Sequence, residues 1–307
     1  MRIIHAANEL NPGGRKVCLA IGFFDGVHLG HQQIIRQTLT DAGQHEAIAL
    51  VITFDRHPNT VVAPGRLPPL IYPLPRKLRA IESLGADTLL LIHFDKAFSE
   101  QTGEAFIRGL TRDLEHVQSL CVGANFVFGH KRGGNVELLR TLSGELKFML
   151  HGLAVVSLDG RAVSSTRIRE AIRAGDLDRA SQMLGRAYSL AGTVIRGDGL
   201  GHQLGFPTAN LDVTGLALPP HGVYAVHAEA GGKTYRAVLN IGLRPTLQNP
   251  NPQLRVEAHL IDFAGELYGQ ALEVAFVDKL RAEAKFPSLA ELRQQIARDI
   301  LEAQLRF

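Results

Sequence analysis

Cysteine is scarce in this chain of 307 residues: only Cys18 and Cys121 occur, both inside apolar runs. That excludes a disulfide framework and fits two small buried hydrophobes in a reducing compartment. No apolar run approaches the roughly 18 residues needed to span a bilayer. Residues 1–14 are too polar for a secretory signal, so the expectation is a cytoplasmic protein with no membrane partner. An excess of charge of one sign is also missing. The 33 Lys and Arg face 30 Asp and Glu, a net +3, whereas a nucleic-acid partner calls for a basic stripe. No internal repeat or low-complexity segment is visible, and 45% hydrophobic residues make the chain too apolar for disorder. What remains is an ordinary globular protein, long enough for two domains of about 100–200 residues. Glycine and histidine stand out at 31 and 13 residues. Glycine lets a backbone approach phosphate closely, and several glycines cluster beside histidines and arginines.

The two halves differ in rhythm. In the first, short continuous apolar runs at 17–22, 47–54, 88–94, 119–123 and 153–158 read as buried strands. Helical spacing separates them: Ile34, Ile35, Thr38, Leu39 and Ala42; Leu78, Ile81 and Leu84 behind Pro75; Phe106, Ile107, Leu110 and Leu114; then Val136, Leu139 and Leu142 behind an N-capping Asn135. Repeated βα units with apolar strands predict a parallel sheet covered on both faces, with ligands beyond the carboxyl ends of the strands. Residues 167–184 read as two short helices split near Gly175 and closed by Gly185. After that, β-like runs at 189–195, 222–230, 235–241, 255–261 and 271–277 alternate with Gly/Pro/Asn turns, predicting a small antiparallel barrel or sandwich. Ser288 and Glu291 form a capping-box signature for a last helix carrying Leu289, Leu292, Ile296 and Ile300.

Two glycine-rich stretches carry the chemistry. Gly22-Phe23-Phe24-Asp25-Gly26-Val27-His28-Leu29-Gly30-His31 runs from the first strand into the first helix, whose N-terminus offers N–H groups and partial positive charge to phosphates. His28 and His31 share one side of the first turn and can donate to charge that develops on a phosphorus in the transition state. A metal pair or two surface histidines are the competing readings. Ser165 and Thr166 can cap a helix, and with Arg169 can hold phosphate oxygens; a plain cap with solvated arginines explains the same hexapeptide. Asn125, Phe126 and Phe128 can hold a flat ring with polar edges, or be core. His57 is a phosphate contact or a structural histidine. In the second half, Gly199 and Gly201 lie in a stretch with the wrong spacing for a dinucleotide fingerprint, and suit a flap over phosphates. Pro207-Thr208-Ala209-Asn210 follows, with Thr208 and Asn210 alternating onto one side, where a hydroxyl and a carboxamide can help hold Mg²⁺ with ATP; an ordinary polar turn reads equally well. Glu257 and His259 share one face of a strand.

These motifs together resemble the bacterial bifunctional riboflavin kinase/FAD synthetases over about residues 17–305. The stretch 22–32 carries the His-x-Gly-His pattern of the nucleotidyltransferases. Residues 53–58 resemble Thr-Phe-Asp-Pro-His-Pro, with Arg56 in place of the first proline. Residues 122–129 with Arg132 resemble the flavin-contacting loop, residues 164–169 the Ser-Ser-Thr-x-Ile-Arg signature, and residues 207–210 the kinase Pro-Thr-Ala-Asn signature. The resemblance implies a Rossmann-like α/β nucleotidyltransferase domain over 1–184, and a six-stranded riboflavin kinase barrel with a C-terminal helix over 185–307. Riboflavin and ATP would give FMN, and FMN and a second ATP would give FAD and pyrophosphate, with Mg²⁺ accompanying ATP. In the first domain it implies His28, His31 and Arg169 as catalytic. ATP contacts would come from Gly22, Phe23, Asp25, Gly26, Ser165 and Thr166 as well, and flavin contacts from His57, Asn125, Phe126, Phe128 and Arg132. In the second it implies Glu257 as the base, ATP contacts at Gly199, Gly201, Pro207, Thr208 and Asn210, and metal contacts at Thr208 and Asn210. His202 and Gln203 stand where basic flap residues are usual, and Leu247 where an aromatic is often found. Partners are then small molecules, with no nucleic acid and the oligomeric state left open. A single-activity enzyme, or a flavin- or RNA-binding regulator on the same scaffold, are the alternatives.

Overall fold

Residues 1–246 and 249–307 are described by a computed structural model, with side chains throughout except at 244–253. Leu247, and the side chains of Arg244, Pro245 and Thr246, lie outside the described residues. The chain divides into two compact units, Met1–Pro69 with Leu74–Ser165, and Leu70–Pro73 with Thr166–Phe307.

The first unit is built on a parallel sheet of β1 (Arg2–Ile4), β2 (Val17–Ile21), β3 (Ile48–Phe54), β4 (Thr88–Ile92), β5 (Val117–Gly123) and β6 (Met149–Leu153), in the order β1-β4-β3-β2-β5-β6. Four helices cover it: α1 (Leu29–Gln44), α2 (Leu74–Glu82), α3 (Gly103–Leu114) and α4 (Val136–Leu146). Successive strand residues point to opposite faces, and each face is apolar. Leu19, Ile21, Leu50, Ile52 and Leu120 pack on Phe106, Ile107 and Leu110 of α3 and Leu139 and Leu142 of α4. Ala20, Val51, Leu89 and Cys121 pack on Ile34 and Ile35 of α1 and Ala80 and Ile81 of α2. This two-sided burial is why the strands read as unbroken apolar runs. Asn135 caps α4 as expected, its side chain accepting from the Leu138 amide at 2.9 Å. Both cysteines are buried and free, and burial pushes the Cys121 thiol up to about 12.

One strand is displaced from its expected place. The apolar run 153–158 is not the last strand. Residues Met149–Leu153 are, because they pair with Ser119 through Gly123 of β5 at the sheet edge. An edge strand needs less apolar surface, and β6 is half-exposed along its length. Strand β1 was not anticipated either: three residues with one buried side chain leave no periodicity to read.

The second unit begins with α5 (Ser165–Ala174) and α6 (Leu177–Leu184), separated by Gly175 and closed by Gly185 in the left-handed conformation (φ +68°). Its barrel is formed by β7 (Ser189–Ile195), β8 (Ala209–Asp212), β9 (Gly222–Ala230), β10 (Lys233–Thr246), β11 (Asn249–Leu260) and β12 (Ala271–Arg281), closed in the order β7-β8-β11-β10-β9-β12. All pairs are antiparallel. Closure settles barrel over sandwich and removes exposed edges. Leu190, Leu211, Tyr224, Val226, Leu239, Val256 and Ala258 fill its interior. Residues Leu70–Pro73 join this unit, with Leu70 hydrogen-bonded to Gly215 and Ala217.

The last helix, α7 (Leu289–Gln304), is capped by Ser288, whose hydroxyl accepts from the Glu291 amide and lies 3.2 Å from its carboxylate. Of the expected apolar stripe, Ile300 packs on Val223, Ala225 and Val238, while Leu289 is exposed. An ion pair completes the attachment. Asp299, buried, accepts from Arg281 Nε at 2.9 Å and Nη2 at 2.7 Å, and from Gln295 at 2.8 Å. Asp299→Asn removes the charge that balances a partly buried guanidinium. We expect it to cost about 2–3 kcal/mol, near the lower end for a broken buried pair, because Arg281 stays 24% exposed. Urea unfolding of the full chain, followed by far-UV circular dichroism, measures it.

Candidate active sites

The turn that leaves β2 has a costly backbone. Phe24, Gly26 and Val27 all have positive φ (+55°, +76° and +42°), and a β-branched residue there is an outlier. Gly22 makes room for it: a Cβ on Gly22 would lie 2.6 Å from the Phe24 ring, which folds back and is 1% exposed. Side-chain donors fix alternate carbonyls of the turn. Thr53 Oγ1 (3.0 Å) and Lys77 Nζ (3.1 Å) donate to Phe23 O, Ser165 Oγ to Asp25 O (3.1 Å), and Gln32 Nε2 to Val27 O (2.9 Å). The chain then enters α1 with His28 as its N-cap residue. The imidazoles of His28 and His31 stack with centroids 3.6 Å apart, and Gly30 between them leaves the His28 ring room, a Cβ there meeting it tightly at 3.3 Å.

A cavity of about 710 Å³ opens at this point, beyond the ends of β2, β3, β5 and β6. This is the topological switch of the sheet, where the order reverses beside β2. One wall is aromatic. Phe126 and Phe128 stack at 5.1 Å, and a chain of edge-on rings runs from Phe128 through Phe106 and Phe98 to Phe94 and Phe54. The Phe128 ring rests on glycines, since a Cβ on Gly134 would fall 2.9 Å from it and one on Gly103 3.0 Å. Leu153, Ala154, Val155 and Val156 line another wall, so the run first read as a strand supplies apolar surface to a cavity. Phe23 meets His57 edge-on at 4.8 Å, and His57 Nδ1 accepts from the Asn59 amide at 3.0 Å.

Nine of the expected residues line this one cavity: Gly22, Phe23, His28, His31, His57, Asn125, Phe126, Phe128 and Arg132. Asp25 is buried, as is Gly26, in the turn itself. Ser165 holds the turn through Asp25 O. Thr166 and Arg169 stand on α5 in the second unit, Arg169 buried. Sequence reasoning missed Lys131, left-handed like Arg132 and also on the cavity wall. It missed Lys77 too, although a lysine four residues before Ile81 in an apolar stripe was a visible signal.

In the barrel, Asn210 of β8 pairs with Glu257 of β11, which pairs on its other side with Asn240 of β10. Their neighbours Ala209, Leu211, Leu239, Ile241, Val256 and Ala258 point into the core, so the three polar side chains share the outer face. The glycine stretch folds against that face. A Cβ on Gly197 would lie 2.3 Å from Asn210 Nδ2, and one on Gly201 would lie 2.9 Å from Thr208 Oγ1. Gly199 has φ +72° and starts a short helix, Leu200–Gln203. Asp198 pairs with Arg255 at 3.1 Å, and the His259 ring meets Pro207 O at 2.8 Å. Gly201, Pro207, Thr208, Asn210 and Glu257 are thus drawn to one patch, with His202 and Gln203 exposed beside it. A hydroxyl, a carboxamide and one carboxylate form a hard-oxygen set, of the sparse kind that suits Mg²⁺ carried by substrate phosphates. Among the described residues no group of three His, Cys, Asp or Glu could hold a metal without such help.

Residues 11–167 match the family described as FAD synthetase, and residues 184–307 the family described as riboflavin kinase. The chain is 37% identical to the bifunctional riboflavin kinase/FMN adenylyltransferase of Haemophilus influenzae, over 100% of this chain and 98% of that protein. It belongs to the bifunctional riboflavin kinase/FMN adenylyltransferase family. The family member from Bacillus subtilis is 35% identical over 99% of this chain and 96% of its own length. A crystal structure of a protein from Streptococcus pneumoniae described as a macrolide-efflux protein shares the fold end to end, with a TM-score of 0.82, 26% identity and 99% of each chain covered. Among the described residues no helix is long and apolar enough to cross a membrane. As a bifunctional riboflavin kinase/FMN adenylyltransferase the chain is a transferase of flavin cofactor biosynthesis that forms FMN and FAD. A Cβ on Gly134 would press on the Phe128 ring, so Gly134→Ala is expected to destabilise the chain by about 1–3 kcal/mol, the cost of overpacking, as read by urea unfolding followed by far-UV circular dichroism.

Proposed function

We propose that residues 1–184 transfer the adenylyl group and residues 185–307 phosphorylate riboflavin, each with its own ATP. The observation that carries the first assignment is the stacked His28–His31 pair at the N-terminus of α1, opening on a cavity with a stacked aromatic wall. In this reading Phe126 and Phe128 hold the isoalloxazine ring, Asn125 meets its polar edge, and Arg132 and His57 approach the FMN phosphate. Gly22, Phe23, Asp25 and Gly26 shape the turn that receives ATP, and Ser165, whose hydroxyl holds that turn, meets the departing phosphates. An FMN phosphate oxygen attacks the ATP α-phosphorus, the bond to the β-phosphate oxygen breaks, and pyrophosphate leaves. His28 and His31 donate hydrogen bonds to the α-phosphate as charge builds there. Positioning and charge stabilisation suffice, with no covalent enzyme intermediate.

In the barrel, Glu257 takes the proton from the riboflavin 5′-hydroxyl as that oxygen attacks the ATP γ-phosphorus and ADP leaves. Gly199 and Gly201 cover the phosphates, Pro207 fixes the approach to β8, and Thr208 and Asn210 would hold Mg²⁺. Bound there, Mg²⁺ neutralises charge on the transferring phosphoryl group. The register Asn210–Glu257–Asn240 supports this reading. The substrates are small molecules, and two free, buried cysteines favour a reducing, cytoplasmic setting.

HPLC of the products from riboflavin, ATP and Mg²⁺ tests the division of labour. His28→Ala and His31→Ala are each expected to slow FAD formation about 100-fold or more and leave FMN formation intact. Glu257→Ala is expected to slow riboflavin phosphorylation by roughly 10²–10⁴ and leave FAD formation from supplied FMN intact. Equal loss of both reactions in any one variant refutes the assignment.

A further inference from the structure

Lys77 is a charged residue in the apolar face of α2, 3% exposed. Its ammonium has three hydrogens and spends each on the ends of two neighbouring strands: Phe23 O beyond β2 (3.1 Å), Phe54 O at the end of β3 (2.8 Å), and Thr53 Oγ1 (3.2 Å). The Thr53 hydroxyl donates in turn to Phe23 O at 3.0 Å, which closes the arrangement. Nζ also lies 4.5 Å from the centroid of the Phe23 ring, whose edge-on partner is His57. Two loops therefore leave the same ammonium. One runs through the left-handed turn to His28 and His31, the other through Asp55 and Arg56 to His57.

If packing were the only requirement, an apolar side chain of this length would be cheaper to bury. What the lysine adds is a fixed distance between two backbone carbonyls that face the same sheet end. We infer that Lys77 is a positioning residue for adenylyl transfer, holding the Phe23 and Phe54 carbonyls so that His28, His31 and His57 converge on one cavity. The inference rests on that cavity being the adenylyl-transfer site.

The charged groups acting on Lys77 are Asp25 and Asp55, the latter held by His93 and Arg56. Burial pushes the ammonium down to about 8, and the two carboxylates oppose that shift. The sign follows. Below about pH 8 Lys77 is charged and makes three donations. Above it the neutral amine keeps two hydrogens and turns a lone pair toward an acceptor, so the clamp is lost. The neutral form is the cheaper one to bury, so between pH 8 and the ordinary lysine range Lys77 itself favours the folded state more as pH rises. Positioning and stability then move in opposite directions, which a merely structural role cannot produce.

The test uses the full-length chain and follows both reactions. Lys77→Met is expected to lower kcat for FAD formation by about 30-fold or more, the scale of a misplacement of about 1 Å. KM for FMN should change less than kcat, since the aromatic wall is untouched and His57 is the one flavin contact that Lys77 positions, and riboflavin phosphorylation should be unchanged. A kcat for FAD formation within about threefold of the parent overturns the proposal. Loss of riboflavin phosphorylation instead overturns the reading of the cavity, and the role with it. Should Lys77→Met lose its folded state, the pH profile of the parent and of Lys77→Arg decides. In the parent, kcat/KM for FAD formation should fall above about pH 8 with no drop in thermal stability, and in Lys77→Arg the fall should be absent. A parent profile that is flat to about pH 9.5, or a fall unchanged in Lys77→Arg, overturns it.

Discussion

A helix offers its free N–H groups to an anion only if the chain before it turns out of the sheet within a few residues. Here that turn runs from Gly22 to His28 and contains three residues of positive φ. At Phe24 and Val27, which are not glycine, such conformations cost of order 1–3 kcal/mol each and persist only where the surroundings over-determine them. The surroundings are visible: Thr53, Lys77, Ser165 and Gln32 each hold a carbonyl of the turn. Those donors come from β3, α2, the end of the unit and α1. The sheet, its covering helices and the cavity thus share one local constraint, and Thr53, Lys77 and Gln32 are buried because the turn sits on the core.

The two candidate sites are built differently. The parallel-sheet unit encloses its cavity with aromatic rings and a helix start. The barrel has a filled interior, so its polar residues must work from the outer face, at the register Asn210–Glu257–Asn240. An outer face cannot exclude water by itself, and the glycine stretch lying against Thr208 and Asn210 supplies the cover. That explains why glycine is needed at 197 and 201, where any Cβ would collide with the side chains it covers.

Much of this was legible. The βα rhythm gave the sheet because two-sided burial leaves unbroken apolar runs. Asn135, Gly185 and Ser288 announced their caps because capping is local. Nine motif residues converge on one cavity because each sits just past a strand that the rhythm located. The failures are physical too. The run 153–158 supplies apolar surface to a cavity, and composition cannot tell cavity wall from core. Strand β8 (Ala209–Asp212) overlaps the end of Pro-Thr-Ala-Asn and stays hidden because four residues carry no period. Arg281 with Asp299, and Lys77 with Phe23 and Phe54, join residues far apart in sequence, so only the folded chain brings them together.

Arg56 shows how a departure from a motif can be absorbed. Proline at this position would fix the backbone but donate nothing. Arg56 turns instead to Asp55 at 3.2 Å and to the His93 ring at 3.4 Å. Burial raises the Asp55 carboxyl, but the Phe94 amide, His93 and Arg56 together hold it below its ordinary value. Asp55 thereby ties the end of β3 to the residues after β4, through Phe94 N at 3.0 Å. The next residue, His57, is held independently, by the Asn59 amide on Nδ1 and by Thr60 on its carbonyl. The rigidity that a proline would give comes here from side-chain hydrogen bonds on both sides of Arg56, so His57 keeps its place on the cavity wall.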